Sequence, residues 1–220
     1  MTVLFDENAR VDFINSAHRT INIGNMKVRD CVVKEIPKST AREYISMFHY
    51  SKTFPDSTLY CYAAFYNNEI VGVVTYGMGC GKNQFTAIIP SIKNGEYLEL
   101  TRLWCSDLAI NNIESYLISH SLKMLPQRVK LVISFSDEAQ GHCGIVYQAS
   151  NFYYLGKNNG GKMLMTRNGI PKHPRLLGIY RKRHPELKNI SNSELLELLG
   201  LSITESGNKY RYVYLRGGGR

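Results

Sequence analysis

The chain has 220 residues, 44% hydrophobic and 11% aromatic, enough for one sizeable domain with a buried core, alone or with an appendage. No apolar run approaches the ~20 residues of a membrane span, and MTVLFDENARVDF carries charge too early for a secretory leader; Cys31, Cys61, Cys80, Cys105 and Cys143 are too scattered for a disulfide framework or a thiolate zinc site. The net charge of +9 is one-sided: residues 1–156 hold 14 Lys/Arg against 14 Asp/Glu, residues 157–220 hold 13 against 4. A neutral body with a basic third favours a polyanion partner, nucleic acid first, because cations that neutralise phosphates release condensed counterions. Reduced thiols and a cytoplasmic setting, with no membrane association, are the expectation.

Residues 1–27 are weakly patterned and read as a lead-in. Val28–Pro37 alternates as a first strand, and Ser39 is placed to cap a helix that ends near Tyr50. Leu59–Tyr66 and Glu69–Tyr76 flank Asn67-Asn68 in a hairpin pattern, followed by a glycine cluster at 77–81. Glu96–Cys105 alternates as a half-buried strand, and Ser115–Leu125 is an apolar helix stopped by Pro126. Lys130–Phe135 reads as a buried strand, and Ile145–Ser150 as a short helix. Phe152–Gly156 and Lys162–Thr166 are further strands, PKHPRLLGIYRKRHPEL a basic loop, Ser193–Leu199 a helix and Tyr210–Leu215 a last strand.

The segment SFSDEAQGHCGIVYQASNFYYLG (134–156) carries the most chemistry. A strand delivers Asp137 to its carboxyl end, a polar turn adds His142, and the helix beyond brings Tyr147. Ligands of open α/β sheets collect at such strand ends. Asp, His and Tyr there make either a reaction centre or a helix-capping carboxylate beside a core aromatic. Arg102, within a strand of a neutral region, needs a carboxylate, phosphate or substrate as partner. Glu99, three residues earlier, is expected on the opposite face. Ser121 on the following helix is a weaker substrate-binding candidate. Lys172, Arg175, Arg181, Lys182 and Arg183 are compact enough to grip phosphate, or else form a solvated basic loop.

The element order argues for an α/β fold, a mixed central sheet flanked by helices, with a basic C-terminal extension. It resembles the GNAT acyltransferase superfamily, and GIVYQASNFYYLG resembles that superfamily's fourth-helix signature. The likeness implies that Tyr147 protonates a departing coenzyme A thiolate. Residues 107–114, DLAINNIE, depart from the glycine-rich turn on which that superfamily holds the pyrophosphate of an acyl-CoA donor.

In combination, FHYSKTFP (48–55), LELTRLWC (98–105), NNIESYLISHSLKML (111–125) and the 134–156 segment resemble the Mom family of Mu-like phages, a divergent GNAT branch, over about residues 28–185. That resemblance implies conversion of adenine in double-stranded DNA to its N6-carbamoylmethyl form, which shields phage DNA from host restriction. It further implies an iron-binding tendency, with His49, Tyr50, Asp137 and Tyr147 as an O/N ligand set and His142 as a further ligand or acid/base. A small-molecule donor, a host-cell setting and a possible homodimer complete the expectation. The organisation expected is a lead-in (1–27), a GNAT-like catalytic core (28–170) and a basic DNA-binding extension (171–220). The rival readings are a conventional N-acetyltransferase and a noncatalytic DNA-binding protein.

Overall fold

The computed structural model describes residues 27–107, 111–138, 141, 143–172 and 174–217. They fall into two compact units, one drawn from residues 27–135, 144–155 and 211–217, the other from residues 136–143 and 156–210. The expected lead-in, Lys27 apart, and His142 lie outside the described residues. No described helix is long and apolar enough to cross a membrane.

The larger sheet has seven strands: β1 (Val32–Glu35), β2 (Thr58–Tyr66), β3 (Glu69–Gly77), β4 (Tyr97–Cys105), β5 (Leu131–Asp137), β6 (Tyr153–Asn158) and β10 (Lys209–Leu215). Their spatial order is β1-β2-β3-β4-β5-β10-β6. The first four pair antiparallel, and β4 with β5 is parallel. Helix α1 (Lys38–Phe48) covers one face, where Ala41 and Ile45, four residues apart, pack against Cys61, Ala63 and Val73. A second cluster forms where Phe85 of α2 (Asn83–Thr86) packs with Tyr97, Leu131, Ile133 and Val213. Helix α3 (Ile113–Met124) packs across β2 and β3, and α4 (Ile145–Ala149) packs beside α3.

Most sequence expectations meet their elements within a few residues, with informative exceptions. Val28–Asp30 is a single 3-10 turn, so the first strand starts only at Val32. Pro37 (φ −58°, ψ 144°), not Ser39, precedes the first turn of α1. Proline suits the start of a helix because it gives up an amide that would have no intrahelical acceptor. The basic segment is not a loop: Arg175–Arg183 forms helix α5, bracketed by Pro174 and Pro185. Leu176, Leu177 and Tyr180 supply its half-buried side, a pattern obscured by the surrounding cations. Strands β7 (Lys162–Thr166), β8 (Pro171–Lys172) and β9 (Leu201–Glu205) make a second sheet ordered β8-β7-β9, and β9 was not foreseen. Helix α6 (Asn192–Leu198) starts in a capping box in which Ser191 accepts from the Glu194 amide and Glu194 from that of Ser191.

The β2–β3 hairpin turns on Asn67 (φ 48°) and Asn68 (φ 67°), both left-handed as a two-residue primed turn requires. Glycine adopts this backbone with no Cβ penalty. Asn68→Gly is therefore expected to stabilise the fold by about 0.5 kcal/mol, read as a raised thermal midpoint.

Candidate functional site

Two irregularities of β4 build the site in the first unit. On β3, Tyr76 pairs with Leu100 and Thr75 with Arg102, so Thr101 is an extra residue, a β-bulge. The bulge resets the alternation of side chains. Glu99, opposite Gly77, therefore shares a face with Arg102, opposite Thr75, and the expectation that they point apart is corrected. Thr75 and Thr101 hold the bulge through a buried 2.8 Å bond between their hydroxyls. The second irregularity is a parting of strands. β4 and β5 pair only at Tyr97↔Leu131, Leu98↔Val132 and Glu99↔Ile133, although both strands continue beyond. Glu99 stands at the last rung before the gap.

Arg102 is spent on the segment after α1. Its Nε donates to the Thr53 carbonyl at 2.9 Å, its Nη2 to Thr53 Oγ1 at 2.9 Å and its Nη1 to the Thr101 carbonyl at 2.6 Å. Burial makes its proton easier to lose than usual, which the nearby Tyr50 and Glu99 oppose. The bonds run on toward the imidazole. Thr53 Oγ1 donates to Ser51 Oγ at 3.2 Å, which lies 2.9 Å from His49 Nδ1, and the Ser51 amide donates to that same nitrogen at 3.1 Å. An Nδ1 that accepts from a backbone amide carries no proton, so neutral His49 has its proton on Nε2. His49 caps α1, 6% exposed, while Tyr50 is 52% exposed with its ring stacked on His49 at 4.3 Å.

On the opposite face, Tyr147 of α4 lies buried and hydrogen-bonded to Ser134 of β5. Burial pushes its hydroxyl up to about 12; Ser134 opposes this, and Tyr50, Glu99 and Tyr212 add to it. Tyr147 therefore holds its proton at neutral pH and is equipped as an acid. Gly144 precedes α4 at φ +72°, and a Cβ there would lie 2.3 Å from the Tyr212 ring. Only glycine lets α4 dock at this distance with Tyr147 turned inward. Ser121 is fully buried; it donates to the Ile118 carbonyl at 3.0 Å and so accepts from the Tyr76 hydroxyl at 2.7 Å. Its hydroxyl joins α3 to β3.

Sequence reasoning passed over Glu99 as a site residue. Its carboxylate accepts from the Cys80 thiol, whose acidity is suppressed by burial first and then by that carboxylate. It lies so close to Gly79 that a Cβ there would sit 2.4 Å from Glu99 Oε2. A carboxylate, a guanidinium and two tyrosines thus act on one another electrostatically where β4 leaves β5.

In the second unit, Asp137 ends β5 and is followed by Glu138, also passed over. Glu138 accepts from Lys157 Nζ at 2.7 Å, Asn208 Nδ2 at 2.9 Å and the Tyr210 hydroxyl at 2.9 Å. Those three donors hold its carboxyl at about 2, and its own carbonyl receives the Gly141 amide at 2.9 Å. Of the basic candidates, Lys172, Arg175, Lys182 and Arg183 are exposed, whereas Arg181 is half-buried and donates to the Ile190 carbonyl at 3.0 Å.

Among the described residues no group of three or more His, Cys, Asp or Glu is gathered to hold a metal ion. Iron, which the resemblance implied, has no support among the described residues.

The Mom protein family model matches residues 30–217. The chain belongs to that family. It is 34% identical over 204 residues to the methylcarbamoylase Mom of Escherichia phage Mu, covering 88% of this chain and 77% of that protein. Among solved structures, Arabidopsis thaliana NAA60 in complex with a bisubstrate analogue matches 86% of this chain and 99% of its own at a TM-score of 0.50 and 12% identity. An acetyltransferase of the GNAT family from Streptococcus pneumoniae matches 85% and 99% at a TM-score of 0.47 and 11% identity. This Mom-family chain has the GNAT acetyltransferase fold and is a transferase.

Two outcomes follow. Arg102→Met removes both bonds to Thr53 and is expected to cost about 2 kcal/mol in urea unfolding, with faster amide exchange at Ser51 and Thr53. The Glu138 carboxyl, lowered from its ordinary value of 4.5 to about 2, contributes stability that is full above 4.5 and is lost as pH falls toward 2. Protection of the Gly141 amide, followed by NMR, is thus expected to hold from neutral pH down to about 4 and to fall at both ends of that range in Glu138→Gln.

Proposed function

We propose that this Mom-family transferase converts adenine in duplex DNA to N6-carbamoylmethyladenine, marking phage DNA against restriction inside the host cell. The observation that carries the reading is the 34% identity, over most of both chains, to a protein named methylcarbamoylase. The β4–β5 parting, with a buried proton donor on one face and a charged pair on the other, supports it chemically. The N6 amine lies on the major-groove edge of adenine, so a substituent there changes what a restriction enzyme reads. A base acted on chemically is taken out of the duplex stack.

In the reaction, a bond forms between N6 and the CH2 of an activated carbamoylmethyl donor. The bond from that CH2 to its leaving group breaks, and the pair goes with the leaving group. Asp137 takes the proton that N6 loses, Tyr147 gives its proton to the departing anion, and Arg102 offsets negative charge on the donor. A thiolate leaving group would suit Tyr147. The donor class that releases one from a CH2 is an S-carbamoylmethyl thioether of a coenzyme-A-like thiol, whereas an acyl-CoA thioester would release it from the acyl carbon and leave an N-acyl product.

The test is mass spectrometry of nucleosides from plasmid DNA of cells expressing the protein. The native chain is expected to yield deoxyadenosine heavier by a carbamoylmethyl group. Tyr147→Phe and Asp137→Asn, still folded, are expected to lower the yield at least ~100-fold, the scale of a lost general acid or base. Full modification by both variants sinks the assigned roles. Acetylated amines with unmodified adenine would favour the conventional acetyltransferase instead.

A further inference from the structure

Helix α5 separates its cations by function. Its exposed positions are Arg175, Gly178, Ile179, Lys182 and Arg183, spaced i, i+3, i+4, i+7 and i+8, which is one continuous helix face. The other side is committed to its own unit: Leu176 and Leu177 are half-buried, Tyr180 stacks on His184 at 5.6 Å, and Arg181 reaches the Ile190 carbonyl. Glu186, the acidic residue that follows the helix, is engaged by His184 at 3.1 Å. The exposed face thus carries cations at both ends, with a small and an apolar residue between them. A Cβ on Gly178 would meet nothing within 4 Å, so the middle of the face admits close approach.

We propose that this face of α5 docks on duplex DNA, Arg175 at one end and Lys182 with Arg183 at the other contacting phosphates, while Gly178 and Ile179 face the groove. The inference rests on duplex DNA being the substrate. Seven residues of helix place Arg175 and Lys182 roughly 10 Å apart along the axis. With side-chain reach added, the pair spans phosphates on the two rims of the major groove, about 12 Å wide, where adenine N6 is displayed. Arg181 takes no part; its role is to hold the segment around Ile190.

The experiment is fluorescence anisotropy of a labelled duplex titrated with the full chain across a series of salt concentrations. The double variant Lys182→Ala/Arg183→Ala is expected to bind more weakly, with a log–log salt slope shallower by about 1.8, two phosphates at ~0.9 each, and an unchanged thermal midpoint. Arg181→Ala is expected to lower the midpoint and keep the native slope. A double variant with native slope and affinity overturns the docking face. So does equal competition by single-stranded RNA or an acidic protein, which would reassign the face to another partner. Loss of duplex binding in the double variant, alongside a native chain that leaves adenine unmodified, keeps the docking face and removes the chemistry. Undiminished adenine modification by the double variant does the reverse.

Discussion

One extra residue in β4 sets the chemistry of the larger unit. Without Thr101 as a bulge, strict alternation would send Glu99 and Arg102 to opposite faces of the sheet. With it, carboxylate and guanidinium share a face, each partly compensated by the other's charge. Burying either alone would be costly, because a lone ion loses its water without replacement. The Thr75–Thr101 hydroxyl pair is the small polar lock that lets the sheet tolerate the irregularity in its interior. Two residues before the bulge, at the Glu99 rung, the same strand makes its last pairing with β5, and past it the Leu100 carbonyl accepts from the Ser134 hydroxyl at 3.4 Å in place of a ladder bond.

From this pair the order propagates outward through hydrogen bonds with one direction. Arg102 donates to Thr53, Thr53 to Ser51, and Ser51 to His49. Each hydroxyl both receives and gives, and at the far end the Ser51 amide, donating to Nδ1, sets the tautomer of the imidazole. The second unit uses the opposite arrangement, three donors converging on one carboxylate beside Asp137. In the first, His49 is oriented by hydroxyls and an amide; in the second, the carboxylate held is Glu138, next in sequence to Asp137.

Much of the scaffold could be read from residues alone, and the reasons differ by element. The β2–β3 hairpin announced itself because Asn-Asn between two β-branched and aromatic runs admits few other conformations. Helix α3 did so through an apolar run stopped by Pro126. Helix α5 was hidden because cations occupy the positions that ordinarily mark a solvated loop. Tyr147, Arg102 and His49 were legible as residues that need a purpose. Glu99 was not, since a bulge changes facing without altering composition, and the rule of two that serves most strands misleads at that point. Ser134 and Cys80 were passed over for a similar reason: a hydroxyl and a thiol have meaning only once the partner across the sheet is known.

The place of β10 has a consequence for how the molecule comes into being. It is the last strand of the chain order, yet it stands between β5 and β6, and its Tyr212 ring closes against Gly144 and Tyr147. During synthesis, β5, α4 and β6 emerge first and must wait with a strand-wide vacancy between them. The packing of the Tyr212 ring on Tyr147 and Gly144 cannot form until residues 209–215 have left the ribosome and inserted. In a nascent chain, α4 therefore lacks its aromatic backing until translation has passed the last strand.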